Sequence, residues 1–596
     1  MKRWTSYAKP YLPYFIIGPI CMIIEVVGEV LMPKMLGALI DYLTYATAEG
    51  EELSPFIARL VVIFGENTAF VVAMTAGMVL TALLMMIGGV GGAYFGAKAA
   101  VNYAADLRSD IFKKVQEFSF SNIDRFSTGS LVTRLTNDVT QIQNFVNMLL
   151  RMALRAPGMF IGALIMAFAT NRELSVVFLV SLPLLIIALY AIIRRGFPRF
   201  SAMQSKIDTL NSDIQENITN VRVVKSFVRQ EHEKQKFAAA NGELKKSGLS
   251  AMLVMILMSP VMSFFMYATT LAVLWFGGNK VIGGTLTPGE LTTFITYATQ
   301  ILMSLMMVSF LFVMLSRAMA SGRRISEVLD EKVDITDPAP DARGKTPVTK
   351  GSVEFRNVSF RYYKGSDEKV LDNISLSIPA GKTVGIIGST GCGKTTLVSL
   401  IPRLYDTDSG EVLVDGRNVR DYSLYDLREG VSMVLQQNVL FSGTVAENLR
   451  WGNEAATDEE LRSAAGAAQA DSFVSAFSDG YDHLIDRGGA NVSGGQKQRL
   501  CIARALLKRP RILILDDSTS AVDTATEKRI REAFGDYLEG ATKIIIAQRI
   551  SSVREADMIA VMNEGRITGV GTHEELLASN TEYREIYYSQ NERKEA

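Results

Sequence analysis

The most explicit chemistry in this chain lies in Gly388-Ser389-Thr390-Gly391-Cys392-Gly393-Lys394-Thr395. Glycines at this spacing let backbone N–H groups curl around phosphate oxygens. The lysine adds charge toward the terminal phosphates, and the adjacent hydroxyl can bind Mg²⁺. Two acids, Asp516 and Asp517, end an apolar run that begins at Arg511. Asp516 is placed to hold the metal, directly or through water, and Asp517 stands where a group activating an attacking water would. Val492-Ser493-Gly494-Gly495-Gln496 precedes a predicted helix over 497–508. Free N–H groups, a hydroxyl and a positive dipole end make an anion site there, although a plain N-cap with flexible glycines accounts for the same pattern.

These residues need elements to position them. The runs 384–388, 511–517 and 543–548 are compact, apolar and closed by glycine or polar residues, which suits buried parallel strands of an α/β domain. The glycine-rich loop follows the first of them and opens a predicted helix over 396–405. The first half of the chain is different. Apolar stretches cover 13–40, 67–97, 145–170, 174–193, 249–279 and 289–316, and about 20 residues suffice for a helix to cross a bilayer. The first stretch is too long for a signal peptide and has no small-residue cleavage site, so it reads as a retained span. Lys and Arg crowd the N-terminus, 98–134, 194–246 and 317–324, whereas the other connections carry Arg59, Arg172 and Lys280. That bias predicts six spans with both termini cytoplasmic. The long inner loops read as helix, so the spans are expected to continue beyond the bilayer. A polar stretch with Asp337-Pro338-Ala339-Pro340 reads as a linker. The expected organisation is a transmembrane domain over 1–330, a linker over 331–350 and a nucleotide-binding domain over 351–596.

Composition narrows the possibilities. The 596 residues exceed what one core organises. Lys+Arg and Asp+Glu number 62 each, so the basic excess of a nucleic-acid binder is missing. With 48% hydrophobic and 21% charged residues and a mean hydropathy of +0.17, the average conceals two unlike halves. Cys21, Cys392 and Cys501 are far apart, as are His232, His483 and His573. Neither a disulfide framework nor a Cys/His metal site is available.

Together these motifs resemble an ATP-binding-cassette (ABC) exporter half-transporter of the multidrug type, over essentially the whole chain. Ser493-Gly494-Gly495-Gln496 matches the family signature, with Val492 in place of its leading leucine. The resemblance implies an α-helical membrane bundle of six transmembrane helices followed by an α/β P-loop nucleotide-binding domain. It implies ATP and Mg²⁺ as cofactors, with nucleotide contacts from residues 388–395, Thr396 and Gln436. Thr395, Gln436 and Asp516 would serve the metal. Tyr362 would stack on adenine, with Tyr363 beside it as the competing platform. Ser520-Ala521-Val522-Asp523 matches the family D-loop. Thr128-Gly129 with Arg134-Leu135-Thr136-Asn137-Asp138 resembles the end of the first intracellular loop, and Val223-Val224-Lys225-Ser226-Phe227 the second. Coupling helices are expected near 121–127 and 213–222.

The chain departs from the family pattern where hydrolysis is decided. Asp517 replaces the usual Glu, and Gln548 replaces the histidine after the last core strand; Asp486-Arg487-Gly488-Gly489 varies the stretch before the signature. Asp is one methylene shorter than Glu, and a misplacement of about 1 Å can cost on the order of 10²-fold. Gln548 can donate to a γ-phosphate but cannot carry an imidazole's charge. Every binding position remains. The expectation is a degenerate site, ATP bound well and hydrolysed slowly, in a heterodimer whose second half-transporter faces Ser493, Gly494, Gly495 and Gln496. A slow homodimeric lipid or peptide exporter, or an ATP-sensing regulatory membrane subunit, are the alternatives. Expected partners are the second half, the plasma or inner membrane bilayer and a small hydrophobic substrate, with no nucleic acid.

In the membrane half, Glu25 and Glu29 share a face of the first span, and Arg151 and Arg155 repeat that spacing on the third. They suit either a polar spot recognising cationic substrate groups or structural pairing. Helical rise sets Arg155 shallower than Glu25, which leaves a direct pair open. Met252, Met255, Met258, Met262 and Met266 form a stripe on the fifth span, joined partly by Met303, Met307 and Met314 on the sixth. Thioethers suit promiscuous apolar binding and also ordinary packing.

Overall fold

A computed structural model describes residues 2–45, 62–63, 68–338, 344–363, 367–518 and 522–591. Arg59, Ala339, Pro340, Ser520 and Ala521 lie outside the described residues. The chain divides into two compact units, one of residues 1–114 and 129–330, the other of 115–128 and 331–596. Residues 115–128 of the first inner loop thus belong with the second unit.

In the first unit, six helices among the described residues are long and apolar enough to cross a membrane. They outrun the apolar stretches, as expected. Thr68–Glu117 has 50 residues, about 75 Å at 1.5 Å per residue, more than twice a hydrocarbon core of about 30 Å. Tertiary contacts repair what proline disrupts in the first span, Leu12–Tyr45. Pro33 lies inside it and has no N–H for the Glu29 carbonyl. Gln300 Nε2 donates to that carbonyl at 2.9 Å, Tyr297 Oη to Val30 O at 2.9 Å and Thr293 Oγ1 to Pro33 O at 2.9 Å. All three donors lie on one face of the helix Pro288–Asp330. Close approach there depends on glycine: a Cβ on Gly289 would sit 2.0 Å from the Gly37 carbonyl. Asp41 completes the contact, accepting from the Gly289 N–H and the Thr287 hydroxyl at 2.6 Å each.

Of the two readings of these charges, structural pairing is the one present, and the direct pair that helical rise left open is made. Arg155 Nη1 lies 3.1 Å from Glu25 Oε1, and Nη2 pairs with Glu29 Oε1. A long guanidinium side chain absorbs the difference in depth. The methionine stripe divides: Met258, Met262 and Met266 pack on Leu185, Leu189 and Leu302, while Met252 and Met255 are exposed. The second coupling-helix expectation is corrected. Residues 213–219 still belong to the helix Val176–Thr219, and the short helix is Val221–Ser226. Asn220, at φ −104° and ψ 20°, leaves helical geometry and separates the two.

The second unit holds two larger sheets and a short antiparallel pairing of β7 (Gly443–Thr444) with β8 (Leu484–Ile485). Strands β1 (Val353–Phe360), β2 (Leu371–Ile378), β4 (Ser409–Val414) and β5 (Arg417–Asn418) make an antiparallel sheet in the order β2-β1-β4-β5. The other has six strands: β3 (Thr383–Gly388), β6 (Val431–Val434), β9 (Ile512–Asp516), β10 (Thr542–Ile546), β11 (Met558–Asn563) and β12 (Arg566–Gly571). Its order is β12-β11-β3-β10-β9-β6, parallel except at β12. Ile, Leu and Val of β3, β9 and β10 alternate into two buried clusters, as a parallel sheet covered on both faces requires. Two helix expectations change at their starts and ends. The helix after the glycine-rich loop is only Lys394–Ser399, and the one after the signature runs Gly494–Leu507, because the Ser493 side chain caps it three residues earlier than expected.

Candidate functional site

Parallel pairing of β3, β10 and β9 brings three strand ends together. Ile546 pairs with both Ile386 and Asp516, so the loop after β3, Gln548 after β10 and the two acids after β9 emerge side by side. They enclose a cavity of about 270 Å³ lined by Tyr362, Thr390, Gly391, Gly393, Lys394, Thr395, Thr396, Gln436, Asp516, Asp517 and Gln548. Residues up to 186 positions apart in sequence, Tyr362 and Gln548, thus meet as expected. Gly388, Ser389 and Cys392 do not line it. Gly388 is required by contact, since its Cβ would sit 2.1 Å from the Met562 carbonyl. Gly391 and Gly393 have φ of +86° and +95°, which a side chain would strain.

Lys394 bends back over the loop, its Nζ donating to the carbonyls of Gly388 at 2.8 Å and Ser389 at 2.7 Å. Thr395 Oγ1 donates to Asp516 Oδ1 at 3.0 Å. Asp516 is 1% exposed, yet its Oδ2 has no hydrogen-bond partner. Burial pushes the Asp516 carboxyl up, against the pull of the Thr395 bond. An orphaned carboxylate oxygen beside a hydroxyl and an amide side chain is a donor set that fits a hard cation.

Asp517 adopts φ +47°, a left-handed conformation that Asp tolerates better than most residues. Its N–H donates to Ile546 O at 3.0 Å. Burial pushes its carboxyl up, opposed by the Lys394 charge and the Gln548 amide. Gln548 Nε2 donates to Asp517 Oδ2 at 2.9 Å, so the two departures from the family pattern bind each other.

Tyr362 lines the cavity and shares a 2.9 Å hydrogen bond with the Thr396 hydroxyl. Tyr363 is 71% exposed and does not line the cavity. Ser493, Gly494, Gly495 and Gln496 are not brought to this cavity. They form the N-terminus of Gly494–Leu507, where Ser493 Oγ accepts from Gln496 N–H at 3.3 Å and Gln496 Oε1 accepts from Ser493 N–H at 2.9 Å. Ser493 and Gly494 are exposed, leaving the positive dipole end to face outward.

Three supporting residues escaped the sequence reading. Tyr405 meets the Tyr362 ring edge-on, centroids 5.2 Å apart. It also touches Phe120 at 6.0 Å and donates its hydroxyl to Asp124 Oδ2 at 2.8 Å. Burial and that bond hold its hydroxyl well above the ordinary range. Phe120 and Asp124 belong to the short helix Phe120–Arg125, close to the expected first coupling helix, which Ser119 caps and which Asn122 ties to Lys332 O at 2.9 Å. Gln590 accepts from Ile550 N–H at 2.9 Å and donates to Gln548 O at 2.8 Å, fixing the loop that carries Gln548. Gln498 Nε2 donates to the Asp517 carbonyl at 3.4 Å. Nothing local marks these residues, because each partner is distant in sequence.

A membrane-spanning helical unit followed by a parallel α/β unit with a phosphate loop and a strand-end acid defines an ATP-driven transport ATPase. Comparison with known proteins agrees. Residues 15–305 match the ABC transporter transmembrane region, and residues 371–520 match the ABC transporter family. The chain belongs to the ABC transporter family, as a half-transporter with one transmembrane region and one ATP-binding domain. It is 37% identical over 590 residues to the ABC transporter ATP-binding protein YfiB of Bacillus subtilis (strain 168), covering 99% of this chain and 98% of that one. It is 33% identical over 593 residues to an ATP-dependent lipid A-core flippase of Syntrophus aciditrophicus (strain SB), covering 99% and 94%. A solved structure of a bacterial Atm1-family ABC exporter with ATP bound has the same fold, with TM-score 0.76 at 23% identity over 97% of this chain and 98% of that one.

Proposed function

We propose that this chain couples ATP binding and hydrolysis to export of hydrophobic or amphipathic molecules, as the slowly hydrolysing half of a heterodimeric multidrug-type exporter. The observation that carries this is the bond from Gln548 Nε2 to Asp517 Oδ2. Both altered residues satisfy each other, while Lys394, Thr395, Thr396, Gln436 and Asp516 still surround the cavity.

In this reading Tyr362 takes the adenine, and the loop N–H groups and Lys394 take the phosphates. Lys394 would exchange its bonds to Gly388 and Ser389 for phosphate oxygens. Thr395, Gln436 and Asp516 would hold Mg²⁺, which supplies charge neutralisation on the phosphates when bound. Asp517 is short for positioning water, and its acceptor oxygen is occupied by the Gln548 amide. Ser493, Gly494, Gly495 and Gln496 would clamp the nucleotide of a partner half. The helix Phe120–Arg125 would carry the resulting movement toward the spans. The chain would sit in the plasma or inner membrane with both termini cytoplasmic.

The test is the ATPase rate of the purified full chain in lipid nanodiscs, alone and co-assembled with the half-transporter from a neighbouring reading frame. Little turnover alone and brisk turnover together support the proposal. Fast turnover by the isolated chain sinks it. A homodimeric lipid exporter is the second reading, favoured by the likeness to the lipid A-core flippase. It predicts that native mass of the isolated chain is that of a dimer with lipid-stimulated turnover.

A further inference from the structure

The last described helix, Thr581–Asn591, is tied down at both ends. Near its start, Glu582 accepts from Asn563 Nδ2 at 2.9 Å and from the Thr568 hydroxyl. The buried Tyr583 shares a 2.7 Å hydrogen bond with His573 Nδ1. These contacts fix the helix to β11 and β12. Gln590 lies about 12 Å further along the axis at 1.5 Å per residue, and there the helix meets the segment that follows β10.

That segment is leaving the sheet. Ala547 N–H still donates to Ile386 O at 3.3 Å, and Arg549 stays extended at φ −102° and ψ 131°. Backbone groups beyond the strand need other partners. One side chain supplies two of them. Gln590 Oε1 accepts from Ile550 N–H at 2.9 Å, and its Nε2 donates to Gln548 O at 2.8 Å. The amide thus grips the chain on both sides of Arg549. Further on, Arg531 Nη1 donates to the carbonyls of Ser551 and Ser552 at 3.2 and 2.7 Å. The anchor on Gln548 itself is Gln590.

What this anchor holds is an amide with two N–H groups. Gln548 Nε2 gives one to Asp517 Oδ2 at 2.9 Å. Gln548 also lines the cavity of the phosphate loop, so its second N–H is available to a ligand there. Asp517 feels the Lys394 charge, and a lysine in such a loop reaches the terminal phosphates. The Gln548 amide therefore stands at the terminal-phosphate end of the cavity. Gln548 is exposed, so packing alone does not hold it, and the backbone anchor limits where its side chain reaches.

We propose that Gln590 is a positioning residue for recognition of the terminal phosphate. By fixing the Gln548 backbone it aims the second N–H at the γ-phosphate. The C-terminal helix then sets how well this site tells a nucleoside triphosphate from a diphosphate. This deepens, and rests on, the reading that the cavity takes ATP. Were Gln590 only a cap for two backbone groups, its loss would weaken the fold and the binding of both nucleotides alike.

The test compares the affinities of the full chain in lipid nanodiscs for Mg²⁺-AMP-PNP and Mg²⁺-ADP, each read by displacement of a fluorescent ADP. Gln548→Ala is expected to lower AMP-PNP affinity by roughly tenfold, the effect of one lost hydrogen bond to a charged group, with ADP affinity held. Gln590→Met keeps the length of the side chain without its amide. It is expected to lower AMP-PNP affinity roughly three- to tenfold, again with ADP affinity held. The double variant is expected to bind no worse than Gln548→Ala, because the two residues act through one bond. Gln590→Glu still accepts from Ile550 N–H but cannot donate to Gln548 O. It is expected to show part of the loss, and it carries the test if Gln590→Met melts too low to titrate. Losses shared equally by both nucleotides overturn the proposal. So do additive losses in the double variant, or folded Gln590 variants that keep the wild-type preference. Binding is read without hydrolysis. Fast ATP turnover by the isolated chain refutes the slow-site reading and leaves these ratios standing. A wild type that binds both nucleotides with a preference indifferent to Gln590 refutes this inference alone, and one that binds neither refutes the ATP reading and the inference with it.

Discussion

Two acid pairs, one in each unit, show how the backbone assigns work to neighbouring carboxylates. Glu25 and Glu29 are one helical turn apart, so they face the same way and share one guanidinium, Arg155. Asp516 and Asp517 are adjacent at the end of a strand, where successive side chains diverge. One meets Thr395 and the other Gln548. Each pair leaves buried carboxylate oxygen unpartnered: Glu25 Oε2 and Glu29 Oε2 in the membrane unit, Asp516 Oδ2 in the nucleotide unit. The helical pair finds its partner, a single guanidinium, within the fold. The strand-end pair lines a cavity shared with Lys394, Thr395 and Gln436, and in the proposed function a bound cation would compensate it. Identical chemistry is closed by an ion pair in one unit and left open to a cavity in the other.

The largest expected effect breaks the membrane pair. Arg155→Met strands two carboxylates in an apolar region and is expected to destabilise the chain by about 3 kcal/mol, read as loss of folded protein and a lower Tm in detergent. Adding Glu25→Gln and Glu29→Gln to it is expected to recover most of that loss. If the triple variant melts as low as the single one, the three side chains are not a closed unit.

The strand-end pair should respond in the opposite sense. Asp516→Asn is expected to reduce Mg²⁺-dependent ATP turnover by on the order of 10²-fold while leaving the ligand-free protein as stable or more so. Burial raises the Asp516 carboxyl, so the folded state holds that proton more tightly than the unfolded chain does. The stability this contributes is present at acid pH and is lost as pH rises through the raised value. Mg²⁺ binding needs the ionised carboxylate and weakens as pH falls through the same window. Melting curves across mildly acidic to neutral pH, with and without Mg²⁺-ATP, should therefore diverge in wild type and become parallel in Asp516→Asn.

A smaller effect sharpens the contrast inside the site itself. Asp517→Glu is expected to raise single-turnover hydrolysis at this site by up to about tenfold. The gain is limited because Gln548 remains and because the left-handed backbone at this position suits Asp. Adding Gln548→His should extend it. An unchanged rate in the double variant would mean that the slow step lies elsewhere. Smallest is Tyr405→Phe, which keeps the ring against Tyr362 but removes the bond to Asp124. Nucleotide affinity should hold, while the second unit loses about 1 kcal/mol. Substrate stimulation of ATPase should fall if the aromatic contact reports nucleotide occupancy to the helix Phe120–Arg125. Unaltered stimulation would reduce this bond to packing.

The phosphate loop was legible residue by residue because its requirements are local: glycines at positive φ, a lysine and a hydroxyl at fixed offsets. The strands flanking it were equally legible from their apolar runs, and the spans from length alone. The ends of short elements were not. The helix over 396–405 shortens to Lys394–Ser399 because the chain turns away after Ser399. The second short loop helix falls at Val221–Ser226 because Val176–Thr219 continues further than its apolar part. The pairing of Arg155 with Glu25 stayed open because helical rise fixes the Cα and leaves the reach of the side chain free.

What the sequence by itself determined is the order of parts: apolar helices, a linker, then an α/β unit whose phosphate loop, strand-end acids and signature identify the chemistry. Periodicity and motif spacing encode these because they are properties of neighbouring residues. Only the tertiary structure decided which polar groups find partners. Asp124 and Tyr405 are 281 residues apart, and Gln300 repairs a carbonyl freed by Pro33 on another helix. Gln590 grips the backbone on both sides of Arg549 from the C-terminal helix. Hydrogen bonds and ion pairs act over a few ångströms, and which side chains come that close is set by how the helices and strands pack.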